Sequence, residues 1–217
     1  MIENLVSVDD TVFDIDANMG WYSINVAMSK RHCRVYSFEP IPETYSYLQK
    51  NFRINAIKNA TAYEFGFSDS AGEIEFYYYK EGLINASSRN VSDREDVKVC
   101  KCTVKTLEEF SSELGSPVDF IKCDVEGAEL LVYKGGMRTI LRDRPIVFSE
   151  ILRKWIAKFN YDPNEIFDLF RSDGYRAFTA SGYRLVEFFE MDEHTTETNF
   201  FFLHSEKHSR QIQQLCS

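Results

Sequence analysis

The sequence predicts an α/β protein built on a doubly wound, largely parallel sheet. Three observations carry that expectation. Short apolar runs alternate with segments of helical periodicity over the first third of the chain. After an interruption of alternating polar and apolar residues, the same rhythm resumes. The apolar runs lead into carboxylate-bearing segments, where ligands bind in open sheets of this kind.

The elements follow in order. "TVFDI" (11–15) is a buried parallel strand, and 19–29 reads as a helix. "CRVYSFE" (33–39) is a second strand. Pro42 suits the first turn of the helix after it, which carries Tyr45, Leu48 and Phe52 on one face. "TAYEFGF" (61–67) is a third strand. "GEIEFYYYK" (72–80) and "VKVCKCTVK" (97–105) alternate as half-exposed strands do, so a β-hairpin insertion is expected. The polar stretch 81–96 between them, with "NASS" at 85–88, is expected to be a long loop, a candidate lid over the acceptor. A helix closed by Gly115, a fourth strand at 118–124, a helix stopped at Gly135–Gly136 and a fifth strand at 145–151 come next. A helix ending near Gly174 and the segments "RAFTA", "RLVEFF" and "TNFFFLH" close the sheet.

With 217 residues, the chain suits one domain, with a core of about 5–205 and a tail of 206–217. Its net charge of −9 argues against nucleic-acid binding, which needs Lys and Arg against phosphates. No apolar stretch is long enough for a membrane span, and no signal peptide is seen, so a cytoplasmic location is expected. The five cysteines form no zinc-like spacing and read as reduced thiols. Oligomeric state is not legible.

The strand ends hold the chemistry. The first runs Asp14-Ile15-Asp16-Ala17-Asn18-Met19-Gly20, the second ends in Glu39-Pro40, and Phe67-Ser68-Asp69 follows the third. The fourth ends in Asp124-Val125-Glu126, and the fifth in Glu150. A pyrophosphate would face like charges there. A cationic ligand with ribose hydroxyls and an ammonium group would be welcome, and S-adenosylmethionine has those features and no phosphate. Glu39, nineteen residues after Gly20, can accept a ribose diol. The loop is not G-x-G-x-x-G, which argues against a nicotinamide cofactor. Clustered carboxylates could hold a divalent metal, but no motif is specific for one.

In this order, "VFDIDANMGWYS", "VYSFEPIPETYSYLQKN", "GFSDSAGEIEFY", "IKCDVEGAELLVYKGG", "PIVFSEI" and "TNFFFLH" resemble the FkbM-type S-adenosylmethionine-dependent methyltransferases. The resemblance runs from about residue 5 to about residue 204. It implies the class I methyltransferase (Rossmann-like) fold, a seven-stranded mixed sheet whose last strand, "TNFFFLH", is antiparallel. It also implies O-methylation of a sugar or other small natural-product acceptor. Asp14, Asp16, Asn18, Gly20, Glu39, Pro40, Phe67, Ser68, Asp69 and Asp124 would then line the cofactor. Asp124, Glu126, Glu150 and His194 are the candidate catalytic groups, left open among themselves. One departure stands out: the family usually has glycine where this chain has Asp16. A methyltransferase-like binding module with weakened cofactor affinity is therefore the competing reading.

Overall fold

The computed structural model describes residues 1–79, 82–91 and 97–216. Helix α1 (Ile2–Leu5) leads into β1 (Thr11–Ile15), α2 (Trp21–Ser29), β2 (Arg34–Phe38), α3 (Pro42–Ile54) and β3 (Ala60–Tyr63). Strands β4 (Gly66–Phe67), β5 (Gly72–Tyr79), β6 (Gly82–Ser87) and β7 (Lys98–Lys105) follow. The chain then runs through α4 (Leu107–Leu114), β8 (Phe120–Cys123), α5 (Glu129–Lys134), α6 (Met137–Asp143) and β9 (Ile146–Glu150). It closes with α7 (Arg153–Ile156), a 3-10 turn (Ala157–Phe159), α8 (Asn164–Ser172), β10 (Tyr175–Ser181), β11 (Arg184–Phe188), β12 (Asn199–His204) and α9 (Ser209–Leu215).

The large sheet has the order β11-β10-β12-β9-β8-β1-β2-β3. Strands β3, β2, β1, β8 and β9 are mutually parallel. β12, the "TNFFFLH" segment, runs antiparallel to both β9 and β10, as expected. The sheet has eight strands rather than the expected seven. The extra one is β11, which folds back on β10 as a hairpin and extends the edge.

Three further expectations change. The single strand 61–67 is two strands: β3 ends the large sheet, and β4 pairs with β7 in a second one. The expected hairpin insertion is thus part of a four-stranded sheet, β4-β7-β5-β6. Part of the expected lid loop is β6, paired antiparallel with β5. Residues 81 and 92–96 of that stretch, and residue 80 before it, lie outside the described residues. The expected tail holds α9, whose Ile212 is buried in the core.

Alternation along each strand sorts side chains onto the two faces of the large sheet. Phe13 and Ile15 face an aromatic-rich cluster with Phe38, Phe65, Phe67 and Phe110. Val12 faces the opposite cluster with Val26, Ala27 and Phe120. Phe38 and Phe110 meet edge-on at 4.9 Å between ring centroids, a preferred aromatic geometry. Helix α4 starts on a reciprocal capping box between Thr106 and Glu109.

The segment after β4 meets the end of α5 at Gly135, between α5 and α6. A Cβ there would lie 2.2 Å from the Ser68 carbonyl oxygen, so only glycine fits. We expect Gly135→Ala to cost about 1–3 kcal/mol by overpacking. Thermal unfolding should show roughly 2–4 °C lost per kcal/mol for a chain of this size. An unchanged Tm would mean that the backbones do not meet there.

Candidate active site

The carboxyl ends of β1, β2, β8 and β9 converge on one cleft, and a polar layer lies beneath it. Asp14 pairs in register with Ser37 on one side and Lys122 on the other. The Asp14 Oδ2 accepts from the Ser23 amide at 3.0 Å and the Ser23 hydroxyl at 2.5 Å. The Ser23 and Ser37 hydroxyls are 2.6 Å apart. Lys122 Nζ lies 3.3 Å from Asp14 Oδ1, with both side chains almost fully buried. The same ammonium donates to the carbonyls of Ile15 at 3.1 Å and Asp16 at 2.7 Å. Its charge is held by Asp14, Asp124 and Asp16, which raise its pKa against the opposing effect of burial. Lys122 thus fastens the loop after β1 to β8.

That loop is shaped by three left-handed residues: Asp16 (φ 59°), Asn18 (φ 51°) and Gly20 (φ 90°). Asp and Asn tolerate this region better than most residues. Gly20 is required for space as well, since a Cβ would lie 2.7 Å from Leu48 Cδ1. Glu39 is buried beside the loop. It accepts from the Asn18 amide at 3.0 Å and the Ile41 amide at 2.9 Å. Burial nevertheless pushes its pKa up to about 7. Asp16 is also raised well above the usual carboxylate range, by burial first and the Glu39 charge second.

The loop after β8 is equally constrained. Glu129 Oε1 accepts from the amides of Val125 at 3.2 Å and Gly127 at 3.0 Å. Tyr161 donates to the Gly127 carbonyl at 2.9 Å. Glu126 takes φ 54° and is only 6% exposed. Among the described residues its Oε2 has no hydrogen-bond partner. Burial, then the charges of Asp124 and Glu150, push Glu126 to about 9. Glu150 reaches about 7 through burial and the Asp124 charge. Tyr22 stands close by: its ring lies under Lys122 Nζ at 5.5 Å, and its pKa is raised by burial.

A pocket opens between the two sheets. Asp16, Pro40, Phe67, Ser68, Ile74 and Phe76 are among the residues lining it, with Val125 and Ala128 from the β8 loop. Ser88 from the expected lid stretch also reaches it, and Ser87 donates to the Glu126 carbonyl at 2.9 Å. Asp69 does not line this pocket; it is exposed and accepts from the Ser68 and Ser70 hydroxyls. His194 lies on the exposed loop before β12, with its ring 3.6 Å from Glu193. Among the described residues, no group of three or more His, Cys, Asp or Glu side chains is placed to hold a metal.

Sequence reasoning gave Lys122 and Tyr22 no role in the site, nor Ile74 and Phe76. Lys122 had a signal: it is the one charged residue in the strand "FIKC".

This sheet order with an antiparallel β12, and a carboxylate-lined cleft at the strand ends, defines the class I methyltransferase fold. The Methyltransferase FkbM domain model matches residues 14–177, and the chain belongs to that family. Among curated relatives, Methyltransferase sdnD of Sordaria araneosa is 27% identical over 164 residues, 62% of each chain. Hexuronic acid methyltransferase AglP of Haloferax volcanii is 31% identical over 147 residues, 66% of this chain and 56% of AglP. The chain thus spans less than two thirds of the length of these relatives. The FkbM methyltransferase structure from Methylobacillus flagellatus superposes with a TM-score of 0.58 at 16% identity, over 91% of this chain and 44% of that one. SMU.1697c from Streptococcus mutans, solved in complex with SAH, gives 0.52 at 6% identity over 92% of this chain and 90% of that one. At these identities the superpositions speak for the fold alone.

Two outcomes follow. Lys122→Met leaves Asp14 buried without its counter-charge, and we expect a loss of about 3–5 kcal/mol in urea unfolding. Adding Asp14→Asn should recover part of that loss; strict additivity would show that the two do not act as a pair.

Carboxyls that stay protonated in the folded chain but ionise freely when unfolded make folding less favourable as pH rises. For Glu126 the interval runs from its ordinary 4.5 to about 9. Stability should therefore fall across that interval, and Glu126→Gln should raise Tm at its upper end more than at its lower end. A Tm difference independent of pH would contradict this.

Proposed function

We propose that this chain binds S-adenosylmethionine and transfers its methyl group to a hydroxyl oxygen of a sugar or other small acceptor. The observation that carries this reading is the buried Glu126, whose Oε2 finds no hydrogen-bond partner among the described residues, beside Asp124 and Glu150. The cleft holds more carboxyl groups than the protein's own cations neutralise, which suits a cationic ligand without phosphate. The family membership and the SAH complex of SMU.1697c support the choice of donor. The hexuronic acid acceptor in the name of AglP and the 2-O-methyl transfer in that of 2-O-methyltransferase NoeI, 23% identical over 69% of this chain, support an oxygen acceptor on a sugar.

Bound S-adenosylmethionine would supply an electrophilic methyl carbon on a sulfonium. Glu39 accepts the two ribose hydroxyls, and Asn18 and Gly20 hold the loop that lets the ligand approach. Phe67, Ser68, Pro40 and Phe76 enclose the adenine. Asp14 acts through Lys122 and Ser23, as a positioning group. Asp16 and Asp124 face the ammonium. Glu150 takes the acceptor proton, because a carboxyl near 7 is matched to proton transfer at neutral pH. Glu126 is neutral at that pH and donates a hydrogen bond to the acceptor. Alignment of the acceptor oxygen by these groups supplies much of the acceleration.

Calorimetric titration with S-adenosylhomocysteine tests the reading. We expect saturable binding, weakened roughly tenfold or more by Glu39→Gln, the equivalent of about 1.4 kcal/mol. Asp16→Gly should keep or improve affinity. No heat and no thermal shift at millimolar ligand would favour the non-catalytic binding module instead.

A further inference from the structure

The second sheet carries a pair of thiols that the site described above does not use. Cys100 and Cys102 are alternate residues of β7, so both point to one face. Their sulfurs lie 3.3 Å apart. In the ladder Cys100 stands opposite Phe76 and Cys102 opposite Ile74, both on β5. These four residues pack with Ile41, Val104 and Tyr78. Cys102 is buried and Cys100 half-buried, so the pair is closed at one end and open at the other.

Phe76 and Ile74 also line the pocket between the two sheets. Ile41 donates its amide to Glu39 at 2.9 Å, and both thiols feel the Glu39 charge. The pair therefore backs onto the wall of the proposed donor pocket.

The spacing of the sulfurs selects what they can hold. An atom bonded to both at about 2.3 Å, the length of a zinc–thiolate bond, sees them at roughly a right angle. A linear two-coordinate ion such as Cu(I) would need them about 4.6 Å apart at that bond length. Tetrahedral zinc would need further ligands, and among the described residues no third His, Cys, Asp or Glu joins the pair. A disulfide would need an oxidant, and alternate strand residues stand about 6.6 Å apart between Cα atoms, near the upper limit for a bridge. Trivalent arsenic is pyramidal, with bonds close to a right angle, and it is thiophilic.

We propose that Cys100 and Cys102 form a dithiol site for a trivalent arsenical bearing one organic group, and that loading it closes the adjoining pocket to the donor. The site stands without the methyl-transfer reading; its effect on the pocket rests on that reading. The reagent is R–As(OH)2. Two As–O and two S–H bonds break, two As–S bonds form, and two waters leave with the thiol hydrogens. Arsenic stays trivalent throughout. Burial raises the pKa of both thiols, which disfavours the thiolates that a bare metal cation or an oxidant requires. The condensation takes the thiols with their protons. Phe76 and the half-buried Tyr78 give the organic group an apolar wall.

Intact-mass spectrometry with phenylarsine oxide tests the site. The wild-type chain should retain one phenylarsenic group through a wash with excess glutathione, a monothiol, and lose it to dithiothreitol, a dithiol. Cys100→Ser should cut retention roughly a hundredfold or more, because the second bond to arsenic is then lost. Cys100→Ala gives the same measurement if serine disturbs the packing. Cys216→Ser, at an exposed thiol, should leave retention unchanged. Retention that survives both Cys100 variants overturns the site, as does a wild-type chain that retains nothing or a loss that follows Cys216→Ser alone. Calorimetry then reads the pocket. The loaded protein should bind S-adenosylhomocysteine roughly tenfold or more weakly than the unloaded one. Equal affinity overturns the link to the pocket. If the unloaded protein binds no S-adenosylhomocysteine, the donor assignment fails, and the mass measurement still decides the dithiol site.

Discussion

The buried ion pair between Lys122 and Asp14 is the constraint on which the site depends. It joins β8 to β1 in register, and it spans the seam between the two halves of the doubly wound sheet. The ammonium does more than neutralise Asp14. It also takes the carbonyls of Ile15, the last residue of β1, and of Asp16, the first residue of the loop. A buried pair of this kind is rarely a net source of stability, because desolvation offsets its attraction. Its value here is geometric. An apolar pair could fill the same space but could not donate to two backbone carbonyls.

The same electrostatics explains how so many carboxyl groups share one cleft. One lysine cannot balance Asp14, Asp16, Glu39, Asp124, Glu126 and Glu150 together. The fold meets the deficit in three ways. Glu39 is satisfied by backbone amides. Glu150 lies near Asp124, and burial with that neighbouring charge favours its protonated form. Glu126 stays protonated in its buried position. A cation entering the cleft would change that balance, since it favours the ionised forms. The free site is thus held in a state of charge that a cationic ligand improves. Glu129 stands apart from this set. Its contacts with the Val125 and Gly127 amides close its own loop, so its role is to shape the turn that presents Asp124 and Glu126.

Much of this was legible from the chain itself. β1, β2, β8 and β9 are short apolar runs ending at acidic residues, and both the pattern and the consequence follow from burial on two faces. The antiparallel β12 came from resemblance, since periodicity carries no direction. Other elements were hidden for definite reasons. β3 and β4 form one unbroken apolar–polar pattern, and only the partner strand tells them apart. β6 is a short run inside a stretch that is polar as a whole, and it is held by its ladder to β5. In the site, the acids were visible because they sit at strand ends. Lys122 was hidden because its importance depends on which residue lies opposite, a matter of register. The pocket residues Ile74 and Phe76 come from a different sheet, and spacing along the chain cannot place them.

Asp16 can now be judged on physical grounds. Its backbone does adopt the left-handed region where glycine is favoured. The cost of a non-glycine residue there is about 1–2 kcal/mol, and less for Asp. Against it stands the Lys122 hydrogen bond to the Asp16 carbonyl, the shorter of the two that the ammonium makes to the loop. The conformation is therefore held by its surroundings and does not depend on the residue's own preference. What the substitution changes is charge. It adds a carboxyl group to the pocket wall, next to Glu39, where burial and the Glu39 charge raise its pKa well above the ordinary carboxylate range. A protonated Asp16 can donate to a ligand oxygen, and an ionised one can pair with a ligand ammonium. Either state offers the ligand a partner that glycine lacks. The departure from the family pattern thus reads as a change in how the donor is held, with the loop geometry intact.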